Sequence, residues 1–373
     1  MILRSLILSS TALLAACVTM PAEEAAPSAP VAQAAPPAAP AAAPAQRNAE
    51  LAAFFEAYDK AELAMSPMGK AYRGIKDADY GKWDDFTDAA DEASRQLDLK
   101  TLAELRNRFP RATLSPADQL SYDIFESQIA RGESLYPFRK YDYVFDQMNG
   151  AQSQSPAFLI NIHRVASVAD AEAYVSRLSE MARALRQATE EARRRQALGI
   201  LPPKWVFPYV IADSRNLITG APFGSGKDSP LWADFKGKVA QLDADAATKQ
   251  RLLNAARAAL LNDVRPAYQG IITLMQAQQR VAGTDDGIWR SPNGAAQYQA
   301  LLKSYTTTDY TADQIHELGL AQVARIHSEM SAIKDRVGFN GSLQDFFAHM
   351  RTSKEFYYPN TDAGRQMYLD ESQ

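Results

Sequence analysis

The sequence predicts a mainly helical protein with few or no strands beyond its first fifty residues, and three observations carry that expectation. Apolar residues recur at alternating spacings of three and four over long runs, capping residues stand where those runs begin, and alternating strand patterns are scarce. The chain has 373 residues, a net charge of −4 and a pI near 5.7, with acids and bases interspersed. No basic stripe suggests nucleic acid as a partner.

The first segment is a targeting signal. Arg4 precedes an apolar run from Leu6 to Ala16, far short of the roughly 20 apolar residues a membrane span needs. Leu14-Ala15-Ala16-Cys17 then resembles the lipobox of bacterial lipoproteins, which implies cleavage after residue 16 and acylation of Cys17. Cys17 is the sole cysteine, so lipidation leaves no thiol for a disulfide or a zinc-thiolate site. Several acyl chains on one residue anchor stably, because each buried methylene contributes about 0.8 kcal/mol. Val18 stands where the inner-membrane retention signal of such lipoproteins has Asp, which implies the outer membrane, facing the periplasm. Residues 17–47 are rich in Ala and Pro and cannot bury a core, so they read as an extended tether. The expected organisation is a signal at 1–16, a lipidated tether at 17–47 and a helical domain at 48–373.

Within that domain, Asn48 caps a run containing Leu51, Phe54, Phe55 and Tyr58, and Ser115-Pro116 opens one containing Leu120 and Ile124. Ser167 with Asp170 begins the longest expected helix, which carries Ala171, Tyr174, Leu178, Met181, Leu185, Ala188 and Ala192 on one face and stops at Gly199 and Pro202-Pro203. A second long run from about Ala244 to Val281 places Leu253, Ala256, Leu260, Val264, Tyr268, Ile271 and Met275 together, with a kink or break expected at Pro266. Thr311 with Gln314 and Ser342 with Asp345 mark further helix starts, and Arg365, Met367 and Tyr368 look like another. The best strand candidate is Trp205 to Ile211, although Pro208 argues against a central strand.

Motifs that invite chemistry fail on spacing. Gly220 to Lys227 has five residues between its outer glycines where a phosphate loop has four, and Asp228 where magnesium needs Ser or Thr; it reads as a flexible loop. Ser331-Ala332-Ile333-Lys334 has the Ser-x-x-Lys spacing of penicillin-binding enzymes without their other motifs, and reads as the solvated edge of a helix. Asp84-Asp85-Phe86-Thr87-Asp88 resembles a diphosphate-magnesium run but lacks a second one, and reads as acids favouring the first turn of a helix. His316-Glu317 begins like His-Glu-x-x-His, with Leu320 in place of the second histidine. His316 and His327 lie eleven apart, about 16 Å along a helix axis, too far to share an ion.

A wider resemblance covers the body of the chain. Tyr305 to Thr311, Ile315 to Leu320 and Val323 to His327 resemble a characteristic stretch of the bacterial "domain of unknown function 885" family. Ser66-Pro67, Asp146-Gln147, Gly199 to Pro203, Gly287 to Pro292 with Gly294 and Tyr298, and Gly338-Phe339 to Phe346-Phe347 agree with it. The resemblance implies an envelope lipoprotein related to helical zinc peptidases, with zinc as cofactor, a peptide as substrate and the membrane as partner through the lipid. The family's His-Glu-x-x-x-Pro-Gly-His stretch belongs to a C-terminal half that lies beyond Gln373, so the expected domain is incomplete at its C-terminus. No metal-binding or catalytic residue is carried over. The alternative is a tethered helical binding protein without catalysis. Trp289 and Tyr298, aromatics beside a Gly/Pro-rich turn, are the candidate cleft-lining residues.

Overall fold

The computed structural model of the chain describes residues 47–373; the expected signal, Cys17 and the expected tether up to Gln46 lie outside the described residues. The elements among the described residues are all helices, joined by loops, with no strand and one isolated bridge between Ala221 and Asp228. They divide into two compact units, which part after Gln297.

The first unit begins with α1 (Ala49–Ala64) and α2 (Pro67–Tyr72). Asn48 caps α1 by accepting from the Glu50 and Leu51 amides, and its own amide donates to the Asp118 carboxylate at 3.0 Å. That bond ties the start of α1 to α4 (Pro116–Leu135), itself opened by Ser115 and a first-turn proline. With α3 (Asp88–Arg108), these helices enclose a small core of Leu51, Phe54, Leu102, Leu105, Phe109, Tyr122, Phe125 and Ile129.

A larger core surrounds α6 (Val168–Ala197), the longest helix of the described residues. Ser167 and Asp170 form a reciprocal capping box at its start, as their spacing predicts. All seven residues of the expected stripe, from Ala171 to Ala192, are buried. Ala182 and Ala184 are buried too, so neighbours cover more than one face of α6. Those neighbours include α5 (Ala151–Asn161), α9 (Ala246–Ala259) and α10 (Arg265–Val281), while α7 (Phe207–Leu217) packs on α10 and α8 (Pro230–Ala240) on α9.

One expectation is corrected here and another is made specific. The strand candidate Trp205 to Ile211 is instead a turn that leads into α7 at Phe207, with Pro208 in the first turn of the helix, where its missing N–H costs nothing. Alternation there was too short to outweigh a helix with Phe207, Val210 and Ile211 on its buried face. At Pro266 the expected kink or break takes the form of a wider turn, and the run continues beyond it. Leu260–Val264 form a π turn between α9 and α10, and Pro266 occupies the first turn after it. A proline cannot return a hydrogen bond to the carbonyl four residues back, and the wider turn absorbs that loss while Leu260 and Val264 stay buried.

The second unit follows from α11 (Gly294–Thr306), which spans the dividing point, through α12 (Ala312–Arg336), α13 (Leu343–Thr352) and α14 (Asp362–Glu371). Capping boxes at Thr311/Gln314 and Ser342/Asp345 open α12 and α13 as expected, and α13 packs on α12. Phe339, Phe346, His349 and Phe356 form a chain of ring contacts there. Among residues 298–373 only Gly364 is buried, so α12 presents its apolar residues to solvent.

Candidate functional site

The residues singled out from sequence have distinct fates. Trp289 is 76% exposed, with its ring folded over Gly287, where any side chain would meet it. Tyr298, on α11, is 43% exposed. Cys17 lies outside the described residues. Asp84 and Asp85 precede α3 rather than riding on it. Only Asp88 sits in the first turn, as expected of an acid there. Asp84 is buried instead, accepting from the Ser66 hydroxyl and the Met68 amide at 2.8 Å each, and burial pushes its carboxyl up. Ser331 and Lys334 lie on α12, where the Ser331 hydroxyl donates to the His327 carbonyl.

The described residues also contain a buried polar centre for which the sequence gives little signal. Arg177, at the edge of the expected stripe on α6 beside Met181 and Ala188, is fully buried. Its Nε donates to the Lys82 carbonyl at 3.0 Å, one Nη to the Pro67 carbonyl at 3.1 Å and the other to His163 Nδ1 at 3.1 Å. The guanidinium lies between the rings of Tyr80 and Phe158, each 4.9 Å away. Because Arg177 can only donate, His163 Nδ1 must accept, and the imidazole proton sits on Nε2 facing the Asp170 carbonyl at 3.0 Å. His163 stacks on Tyr80 and meets Tyr174 edge-on. Burial first, then the positive charges of Arg177 and Lys238, hold the imidazole down to about 4. Burial likewise lowers Arg177 to about 10. This centre ties the 67–82 segment to α6 and is sealed from ligands.

An open groove lies elsewhere, between α9 and the loop that a phosphate-binding motif would have occupied. The run is a loop, as expected, and closes on itself: Ala221 N donates to Lys227 O at 2.9 Å, Ser229 N to Ala221 O and Gly224 N to Gly220 O at 2.8 Å each. Gly220 makes this closure possible, having φ of +83° and a position where a Cβ would sit 2.1 Å from the Lys227 carbonyl oxygen. Pro222 and Gly224 of the loop, Trp232 of α8, and Gln250, Asn254 and Arg257 of α9 line a space of about 330 Å³. The glycine-rich run foretold a loop, but its use as one wall of a groove depends on helices distant in sequence.

A family model described as bacterial protein of unknown function (DUF885) matches residues 67–373. The chain belongs to this family. Among solved structures, the DUF885 chain is similar to a candidate lipoprotein from Colwellia psychrerythraea, with a TM-score of 0.70 at 20% identity. The alignment covers 86% of this chain and 57% of that one, so this chain spans little more than half the length of its structural relative. No curated protein matches it.

The zinc that the DUF885 resemblance implies does not fit the residues present. Among the described residues no three His, Cys, Asp or Glu side chains converge as a metal site would require. His316 and His327 share the straight run of α12, about 16 Å apart along its axis. His349 Nε2 is 3.0 Å from Glu355, and His163 is committed to Arg177 and Asp170. No hydrolytic step can be assigned to these side chains. No helix among the described residues is long and apolar enough to cross a membrane.

Proposed function

We propose that this chain forms one wall of the substrate cleft of a lipid-anchored, zinc-dependent hydrolase of the bacterial envelope, a peptidase by its family resemblance, whose metal ligands lie outside these residues. The observation that carries the reading is the uncovered apolar side of α12. Ile315, Ile326, Met330 and Ile333 line one side of the helix, flanked by Leu318 and Val323, yet none of the helix is buried. A 25-residue helix with such a stripe gains most of its stability from packing, and an exposed stripe marks a surface made to be covered. The greater length of the Colwellia relative supplies candidate covering chain. Leu14 to Cys17 provide the anchor, Val18 favours the outer membrane, and residues 18–47 provide the spacer that holds the helices off the lipid.

The test compares the full chain with a version extended by the additional C-terminal length of its longer relatives, both purified without chelator. The extended protein is expected to carry stoichiometric zinc and cleave peptides, and the present chain to do neither. Zinc and cleavage in the present chain would overturn the assignment, as would an extended protein lacking both. A second reading, a tethered helical binding protein without catalysis, is favoured by the groove along α9.

A further inference from the structure

We propose that the groove between α9 and the 220–228 loop binds a short saccharide carrying a carboxylate. The proposal deepens the binding-protein reading, and it needs nothing beyond the described residues.

The polar wall is built on one helix. Gln250, Asn254 and Arg257 stand at i, i+4 and i+7 on α9, so their side chains follow one another for about 10 Å, the reach of a disaccharide. Gln250 Nε2 donates to Asn254 Oδ1 at 3.0 Å, which orients both amides. The remaining capacity is an acceptor at Gln250 Oε1 and donors at Asn254 Nδ2, a pairing suited to hydroxyls that both give and take hydrogen bonds. Arg257 has no carboxylate within ion-pair distance among the described residues. Its planar fork is open to a carboxylate. Opposite them, half-buried Trp232 packs partly against the larger core and lines the groove with the rest of its ring. An indole surface of this kind accepts the C–H face of a sugar ring, as aromatic side chains do in ligand sites. The volume of about 330 Å³ is at the small end of ligand cavities and suits a disaccharide.

The loop disfavours other ligands. A peptide bound through its main chain needs free backbone groups along an edge, but Ala221 uses both its N–H and its C=O within the loop closure. A phosphate would seek a cluster of free N–H groups, and the Gly224 amide is turned back to Gly220.

The full chain in detergent is titrated by calorimetry with N-acetylglucosaminyl-N-acetylmuramic acid, as a cell-wall source of the carboxylate, and with glucuronosyl-N-acetylglucosamine, as a capsule-type source. Cellobiose and trialanine are the neutral-sugar and peptide controls. At least one acidic disaccharide should bind saturably and more tightly than either control. Arg257→Gln, at an exposed position, should weaken that binding about tenfold or more, the usual worth of a charge-assisted contact, while leaving cellobiose unchanged. Gly224→Phe should abolish sugar binding, since a Cβ at Gly224 meets nothing within 4 Å and a ring there would fill the groove without straining the loop. Absence of saturable binding by both acids overturns the proposal. So does binding insensitive to Arg257→Gln, or trialanine binding more tightly than the sugars.

Discussion

Acidification should destabilise the first unit through His163 before most of its carboxylates respond. The imidazole is 1% exposed, accepts from Arg177 and already uses its single proton toward the Asp170 carbonyl. A second proton would set two cations against each other inside the core, so the folded state binds it only near pH 4. In the unfolded chain His163 takes up that proton at about its ordinary value of 6.5. The folded value is therefore the lower one. The associated stability is fully present above pH 6.5, declines as the pH falls and is lost as the pH passes below about 4. A gap of about two and a half pH units at about 1.4 kcal/mol each amounts to about 3.5 kcal/mol, of which about 3 kcal/mol is lost by pH 4. Paired carboxylates such as Asp79, Asp88 and Glu191 lie below their usual values and lose their contribution in a lower window, while buried Asp84 is raised and acts in the opposite sense. These groups are common to wild type and His163→Gln, whose amide keeps a donor and an acceptor but cannot titrate. Urea unfolding of both proteins between pH 7 and pH 4 isolates the histidine. The difference in unfolding free energy should change by about 3 kcal/mol over that range in favour of the variant at low pH. Parallel pH profiles would refute the buried, neutral assignment of His163.

Cys17→Ser should release the protein from membranes, and fractionation with mass spectrometry of the N-terminus checks it; unprocessed protein, or unchanged membrane association, counts against the lipobox. Leu178→Ala, at a fully buried position on α6, should cost about 2–5 kcal/mol and lower the urea midpoint accordingly. Gly220→Ala should open the 220–228 loop, because a Cβ meets the Lys227 carbonyl and φ is positive there; faster amide exchange at Ala221 and Ser229 is the readout, and unchanged protection would mean that the closure tolerates a side chain.

Much of the local architecture was legible in the sequence because it is written in local terms. The 3.6-residue period of Tyr174, Leu178, Met181 and Leu185 selects a face, and the side chains of Asn48, Ser115, Ser167, Thr311 and Ser342 satisfy amides two or three residues ahead. Neither needs a distant partner, so α1, α4, α6, α12 and α13 begin where the sequence places them. Trp205 to Ile211 was misread as a strand candidate because a short apolar run around a proline has no decisive period; packing of α7 on α10 decided it as helix. The outcome at Pro266 depended on whether Leu260 and Val264 could remain buried through a wider turn, which is a question of tertiary packing.

The sites divide in the same way. The expected lipobox is a contiguous word around the sole cysteine, so it is legible in the sequence alone. The Arg177–His163 centre joins residues 67, 82, 163, 170 and 177, and the groove joins a loop at 220–228 to a helix stripe at 250–257. Sequence supplied the parts, including the glycines that let the loop close and the polar residues spaced along α9. Only the tertiary structure decided that Arg177 is buried without a bonded carboxylate and that Arg257 faces an open groove. Hydrogen-bond partners and solvent exposure for such side chains are set by chain segments too distant in sequence for any local period to encode.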